Sequence, residues 1–473
     1  MEPTNLGSRL RRHYRRALRT GYGLVAPQVW LRRLVFWGGA IGVGLAATGF
    51  AISGYYADEL FRSAVEHNQW LVLAIMPAGL AGITYVTRRI FPGSQGSGIP
   101  QAIAALQVFD DQARNKLLSL RIAGGKLLLT TCALMCGATV GREGPTVQIG
   151  ASIMHALGRY ARFPSHELER GLIIAGASAG VAAAFNTPLA GVVFAIEELS
   201  RSFEARTNGI VLTGVIFAGV TAVAILGNYT YFGATNVSVK FSQVWMAVLA
   251  CGAAGGLAGG LFARMVLAAG RGLGGRLQHW MRQRPIGFAA LCGLVLALIG
   301  IASGNTTYGT GYDEARLLLS GSHDVPASFG LLKFAATLVS FLSGIPGGIF
   351  APSLSIGAGL GANLATLLPT TPFSACVLLG VVAYFTGVVQ APLTAFIIVM
   401  EMTANHDMVF PLMATALIAQ GASRAVCPEP LYKALAAAFV ARITGTASAS
   451  EPALAAPASP DDSPAQETYG GPR

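Results

Sequence analysis

Residues 141–151 read Gly-Arg-Glu-Gly-Pro-Thr-Val-Gln-Ile-Gly-Ala, and part of this stretch returns at 351–358 as Ala-Pro-Ser-Leu-Ser-Ile-Gly-Ala. Pro145, Ile149, Gly150 and Ala151 align with Pro352, Ile356, Gly357 and Ala358. A second landmark follows each copy at nearly the same distance. Pro-Leu-Ala-Gly-Val-Val-Phe-Ala-Ile-Glu at 188–197 matches Pro-Leu-Thr-Ala-Phe-Ile-Ile-Val-Met-Glu at 392–401, pairing Pro188 with Pro392 and Glu197 with Glu401. Two landmarks in one order at matched spacing mark an internal repeat. Helix-interrupting Gly/Pro segments at corresponding places in two apolar halves point to a transport site near the bilayer midplane.

The surrounding sequence is that of a membrane protein. Of 473 residues, 53% are hydrophobic and 12% charged, with 59 glycines, which suits closely packed transmembrane helices. Apolar stretches lie at 34–56, 70–86, 117–140, 209–227, 244–270, 286–303 and 374–400, several close to the roughly 20 residues that span a bilayer. Those at 144–157 and 183–196 are too short and too rich in Gly or Pro for simple spans. The expected fold is therefore all-α and polytopic, with broken helices. Its expected divisions are a basic segment at 1–29, membrane halves at 30–232 and 244–440 joined by a linker at 233–243, and a tail at 441–473. The tail has no apolar periodicity and predicts disorder, and it is too short for a folded regulatory domain.

The net charge of +11 is unevenly placed. Six arginines fall between Arg9 and Arg19, Arg32 and Arg33 precede the first span, and Arg88 and Arg89 close the second. Under the positive-inside rule these ends are cytoplasmic and the two spans form a hairpin, with both chain termini cytoplasmic. That distribution fits orientation in a lipid bilayer and argues against a nucleic-acid surface. No apolar run immediately follows residues 8–19, so a cleaved signal peptide is not expected. Cys132, Cys136, Cys251, Cys292, Cys376 and Cys427 contain no Cys-x-x-Cys pair, and the seven histidines show no ligand spacing. No metal, disulfide framework or cofactor is implied.

Glu143 is the exceptional residue. A carboxylate between apolar segments is a functional candidate by default. Its glycines free the backbone to turn, and Pro145 suits the first turn of a helix. A helix starting near Glu143 would present unpaired N–H groups and a partial positive end to an anion. Three other segments share this design: Gly96-Ser97-Gly98-Ile99-Pro100, Gly347-Gly348-Ile349-Phe350-Ala351-Pro352 and Pro428-Glu429-Pro430-Leu431-Tyr432. They offer a hydroxyl, bare amides and a phenol. Taken together on a repeated scaffold, they describe one anion site.

On these motifs, over roughly residues 30–440, the chain resembles the CLC family of chloride channels and chloride/proton antiporters. The resemblance implies an inverted repeat of tilted, broken helices, working as a homodimer with one pore per subunit, and the compact chain without an appended regulatory domain leads us to expect a bacterial inner membrane. It implies that Ser97 and Tyr432 give hydroxyls, and Ile349 and Phe350 amides, to a bound chloride. Glu143 matches the gating glutamate, which occupies an anion position when ionised and leaves when protonated. Glu198 matches the internal proton glutamate of antiporters, a place that channels usually fill with an apolar residue. Chloride and protons are the implied cargo. Arg142 and Lys126 are expected to be structural, as is Glu197. Gln101, Ala102 and Ile103 depart from the acidic residues that many bacterial antiporters carry after Gly-Ser-Gly-Ile-Pro.

Two other readings stay open on sequence alone. A passive CLC channel would pass chloride without protons. Gly176-Ala177-Ser178-Ala179-Gly180 fits the Gly-x-Ser-x-Gly pattern of serine hydrolases, which needs a strand–turn–helix elbow and a positioned histidine. Helix packing by small residues explains that run better.

Overall fold

The computed structural model describes residues 27–445, apart from 161–165, 201–204, 236, 238, 240 and 272–275. The arginine cluster at 9–19 and the tail from 446 onward lie outside the described residues, as does the Arg32 side chain.

The first half runs through α1 (Pro27–His67), α2 (Val72–Arg89), α3 (Ile99–Gln107), α4 (Asp111–Asn115), α5 (Leu120–Met135), α6 (Glu143–Tyr160), α7 (His166–Phe185), α8 (Pro188–Phe194) and α9 (Ala205–Leu226). A π-helical turn, Ala195–Ser200, continues α8. The second half comprises α10 (Phe241–Arg271), α11 (Arg276–Gln283), α12 (Pro285–Ala302), α13 (Tyr312–Leu319), α14 (Phe329–Leu342), α15 (Phe350–Ala365), α16 (Phe373–Val389), α17 (Pro392–Thr403), α18 (Val409–Val426) and α19 (Leu431–Ile443). Among the described residues the only β pairing is two isolated bridges, so the expected all-α, multi-span fold holds.

Among the described residues eight helices are long and apolar enough to cross a membrane. They include Leu168–Phe185 and Val409–Val426, which alanines, serines and threonines dilute below an obvious apolar run. The apolar stretch 374–400 is two helices. Gln390 takes a left-handed conformation (φ +59°) between α16 and α17, and Pro392 starts the next helix, where a missing N–H costs nothing. Asn186 (φ +56°) and Pro188 make the same break between α7 and α8.

Three contacts repeat between the halves. Gly150 lies against the Gly176 carbonyl and Gly357 against the Gly380 carbonyl, each so close that a Cβ would collide with backbone. Gly150→Ala should therefore cost about 1–3 kcal/mol of stability through overpacking. Gly49→Ala in α1, where a Cβ meets nothing within 4 Å, should cost nothing. Thermal unfolding of the two purified variants in detergent checks the contrast, and equal melting temperatures would refute the packing argument.

Two lysines form the second pair. Lys126 Nζ donates to the carbonyls of Ser94, Gln95 and Gly96 at 2.6, 3.3 and 2.7 Å. Lys333 Nζ donates to those of Thr307, Tyr308 and Gly309 at 2.9, 3.1 and 3.0 Å. Lys126 precedes Glu143 by the same interval as Lys333 precedes Phe350. Each lysine folds an irregular segment back onto its half, as the structural reading of Lys126 expects.

The third pair fixes the orientation of the halves. Glu197 accepts hydrogen bonds from the N–H groups of Leu393 (3.1 Å) and Thr394 (2.7 Å) at the start of α17. Glu401 accepts from Leu189 (3.1 Å) and Ala190 (2.7 Å) at the start of α8. A carboxylate on the first amides of a helix meets its unpaired donors and its positive end. Each glutamate sits near the far end of its own helix, so equivalent helices run antiparallel and the repeat is inverted.

Candidate functional site

The loops that precede α3, α6 and α15 are stitched together deep in the protein. Gly96 N–H donates to the Ile345 carbonyl (3.1 Å), and Gly347 N–H donates back to Gly96 (3.0 Å). Gly141 and Gly348 exchange two bonds of 2.7 Å. Helix α6 starts at Glu143, α3 at Ile99, α15 at Phe350 and α19 at Leu431, where the four Gly/Pro motifs predict starts. The first N–H groups of such helices lack intrahelical partners, so their convergence concentrates donors around one point.

Four of the six candidate residues come together there. The Ser97 hydroxyl lies where a Cβ on Gly144 would be. The Tyr432 hydroxyl lies within hydrogen-bonding reach of Ser97. Both side chains are buried, and neither hydroxyl oxygen makes a hydrogen bond of ordinary geometry. The Phe350 ring stacks on Tyr432 (centroids 6.2 Å apart, planes at 14°) and meets Phe385 edge-on at 4.6 Å. The Glu143 carboxylate, 1% exposed, reaches across to α15: its Oε2 lies beside Gly141 and the amide of Ala351. Buried polar atoms are normally hydrogen-bonded, and these two hydroxyls have only each other within reach of a bond.

The other two candidates frame this centre. Ile349 is buried at the N-cap of α15. Glu198 is 5% exposed on the π turn that continues α8, within electrostatic reach of Tyr432. Single π turns often mark functional sites because they re-aim consecutive side chains. Here Glu197 turns to α17 while Glu198 lies on the Tyr432 side.

Neighbouring residues have plainer parts. Arg142 Nη1 donates to the Ala51 carbonyl (2.8 Å), so its structural role rests on backbone rather than on an ion pair. Gln101 accepts from Gly98 N–H (3.1 Å) and donates to the Gln95 carbonyl (2.6 Å). It fastens the Ser97 loop through both ends of its amide, while Ile103 is buried in the apolar core. Ser178 donates to Ile174 within α7 (2.8 Å), spending its hydroxyl on its own helix rather than on an elbow. No group of three or more His, Cys, Asp or Glu that could hold a metal occurs among the described residues.

Sequence reading missed Tyr231. It lies between α9 and α10, in a connection that begins before the expected linker at 233–243, and its hydroxyl donates to Glu143 Oε1 (3.4 Å). The aromatic run Tyr229-Thr230-Tyr231-Phe232 in an otherwise polar connection was the available signal.

An inverted helical repeat that aims broken helices at a cage of hydroxyls and amides is the architecture of a membrane anion-transport protein. Residues 78–424 match the family model described as voltage gated chloride channel, and the chain belongs to that family, the CLC proteins. It is 32% identical over 393 residues to the H(+)/Cl(-) exchange transporter ClcA of Citrobacter koseri and to that of Salmonella typhi, covering 79% of this chain and 80% of each relative. A slow cyanobacterial Cl-/H+ antiporter of known structure superposes with a TM-score of 0.74 at 26% identity, covering 88% of this chain and 99% of that one. A eukaryotic CLC transporter shares the fold, with a TM-score of 0.72 at 21% identity and coverage of 86% and 74%.

Proposed function

We propose that the chain exchanges chloride for protons across a bacterial inner membrane, with Glu143 as the gate. The observation that carries this reading is the Glu143 carboxylate lying at the start of α15, within electrostatic reach of the buried Tyr432 phenol that meets Ser97. An ionised carboxylate there does what a chloride would do: it meets the amide donors and the positive end of the helix. Protonation removes the charge and hence the attraction, and the side chain yields its place to the anion. Chloride is then held by the Ser97 and Tyr432 hydroxyls and the amides of Ile349 and Phe350. A cage without full positive charges suits turnover, because conduction needs sites weak enough to leave.

Glu198, buried on the side of Tyr432, is the carboxylate placed to hand protons inward. Exchange follows because one side chain, Glu143, is both the proton carrier and the competitor of the anion. The ClcA relatives and the cyanobacterial antiporter support coupled exchange rather than a passive channel. Arg88 and Arg89 in the last turn of α2 support a cytoplasmic end to that helix and hence cytoplasmic termini. A homodimer with one pore per subunit is the assembly that the family implies.

Paired chloride and proton fluxes in liposomes at clamped voltage test the reading. A chloride gradient should drive protons uphill. Glu198→Gln should reduce proton movement to the background of empty liposomes while chloride still flows. Chloride flux without proton movement in the unaltered protein would make it a channel.

A further inference from the structure

The connection between the halves does more than join them. Tyr231 is 4% exposed and is clamped by rings on three sides: Phe185 at 5.4 Å, Phe232 at 5.0 Å and Tyr312 at 5.1 Å, all edge-to-face. Its backbone is held as well, since the Tyr312 hydroxyl at the start of α13 donates to the Tyr231 carbonyl at 2.7 Å. Phe232 N–H donates to the Met402 carbonyl near the end of α17 (2.9 Å), so the second half fixes the segment independently. This packing leaves the phenol little freedom, and it is aimed at Glu143 Oε1, 3.4 Å away. Fixing a long irregular segment costs conformational entropy, which apolar packing alone does not require of a tyrosine.

We propose that Tyr231 is a positioning residue for Glu143: its hydroxyl latches the ionised carboxylate in the anion position, and the latch slows exchange when few glutamates are protonated. This rests on the gating reading of Glu143 above. A phenol donor favours the charged carboxylate over the neutral acid, so the latch holds at alkaline pH and is already released at acid pH. The other groups facing the carboxylate are Arg142 and the Ala351 amide, with Tyr229 and Tyr432 also within electrostatic reach. Tyr231→Phe changes none of them and keeps every ring contact.

The test compares chloride flux at acid and alkaline pH in liposomes. Tyr231→Phe should raise flux at alkaline pH about three- to tenfold, the scale of one long hydrogen bond to a charged group, and leave acid flux unchanged. Tyr312→Phe, which loosens the segment and keeps the Tyr231 hydroxyl, should shift flux the same way by less. In a Glu143→Gln background Tyr231→Phe should have no effect. If Tyr231→Phe matches the unaltered protein at both pH values, while Glu143→Gln abolishes the pH response, the latch is wrong and the gate stands. If Glu143→Gln keeps the pH response, the gating reading fails and the latch fails with it.

Discussion

Glu143→Ala should carry chloride with no accompanying proton movement, and its flux should no longer respond to pH. The substitution removes the only carboxylate that lies at the start of α15 among the described residues. On the proposed gating role, with it go the competitor for the anion position and the group that takes a proton there. The cage itself is untouched, because Ser97, Tyr432 and the α15 amides belong to other segments. Truncation to Ala also empties space beside the Ala351 amide, so a second anion can enter where the carboxylate lay. Proton flux should fall to the level of protein-free liposomes, and chloride should run down its gradient without pumping protons. Proton pumping that survives in Glu143→Ala would sink the gate outright.

Lys333→Met should be the most destabilising single change outside the site. Lys333 is fully buried, and its ammonium serves three consecutive carbonyls in the segment before α13. Methionine fills most of the volume but leaves those carbonyls without a donor in a place water reaches poorly. Orphaned buried acceptors cost about 1–3 kcal/mol each, and breaking a buried charged arrangement costs about 3–5 kcal/mol. The melting temperature in detergent should fall well below that of the unaltered protein, while Lys333→Arg should recover part of the loss. A Lys333→Met variant as stable as the parent would show that these carbonyls find other donors. Because Tyr312 opens α13 directly after this segment, the variant should also lose the alkaline restraint attributed to Tyr231.

The starts of the helices were legible because Gly and Pro act locally. Gly141, Gly144 and Pro145 specify a turn and a helix start whatever lies elsewhere in the chain. The repeat was legible for the same reason, since its landmarks are local breaks. What the sequence hid depends on partners far along the chain. Tyr231 and Glu143 are separated by 88 positions, and no periodicity links a connection to a helix start. Lys333 and its carbonyl partners at Thr307, Tyr308 and Gly309 have no sequence signature at all. The break at Gln390 was missed because a left-handed glutamine resembles any other residue of a polar kink, whereas a glycine there would have announced it. Glu197 and Glu401 could be paired by alignment, but only the fold shows that each is bonded to the other's helix.

That exchange of glutamates has a mechanical meaning. Four amide-to-carboxylate bonds cross between α8 and α17 at the place where the two halves mirror one another. A cycle that tilted one half against the other at this seam would have to break these bonds and leave the first amides of two helices without their acceptors. The two halves are thus tied to one another by their own repeated glutamates. On the gating role proposed for Glu143, exchange needs no such tilt, and one side chain can serve as the moving part.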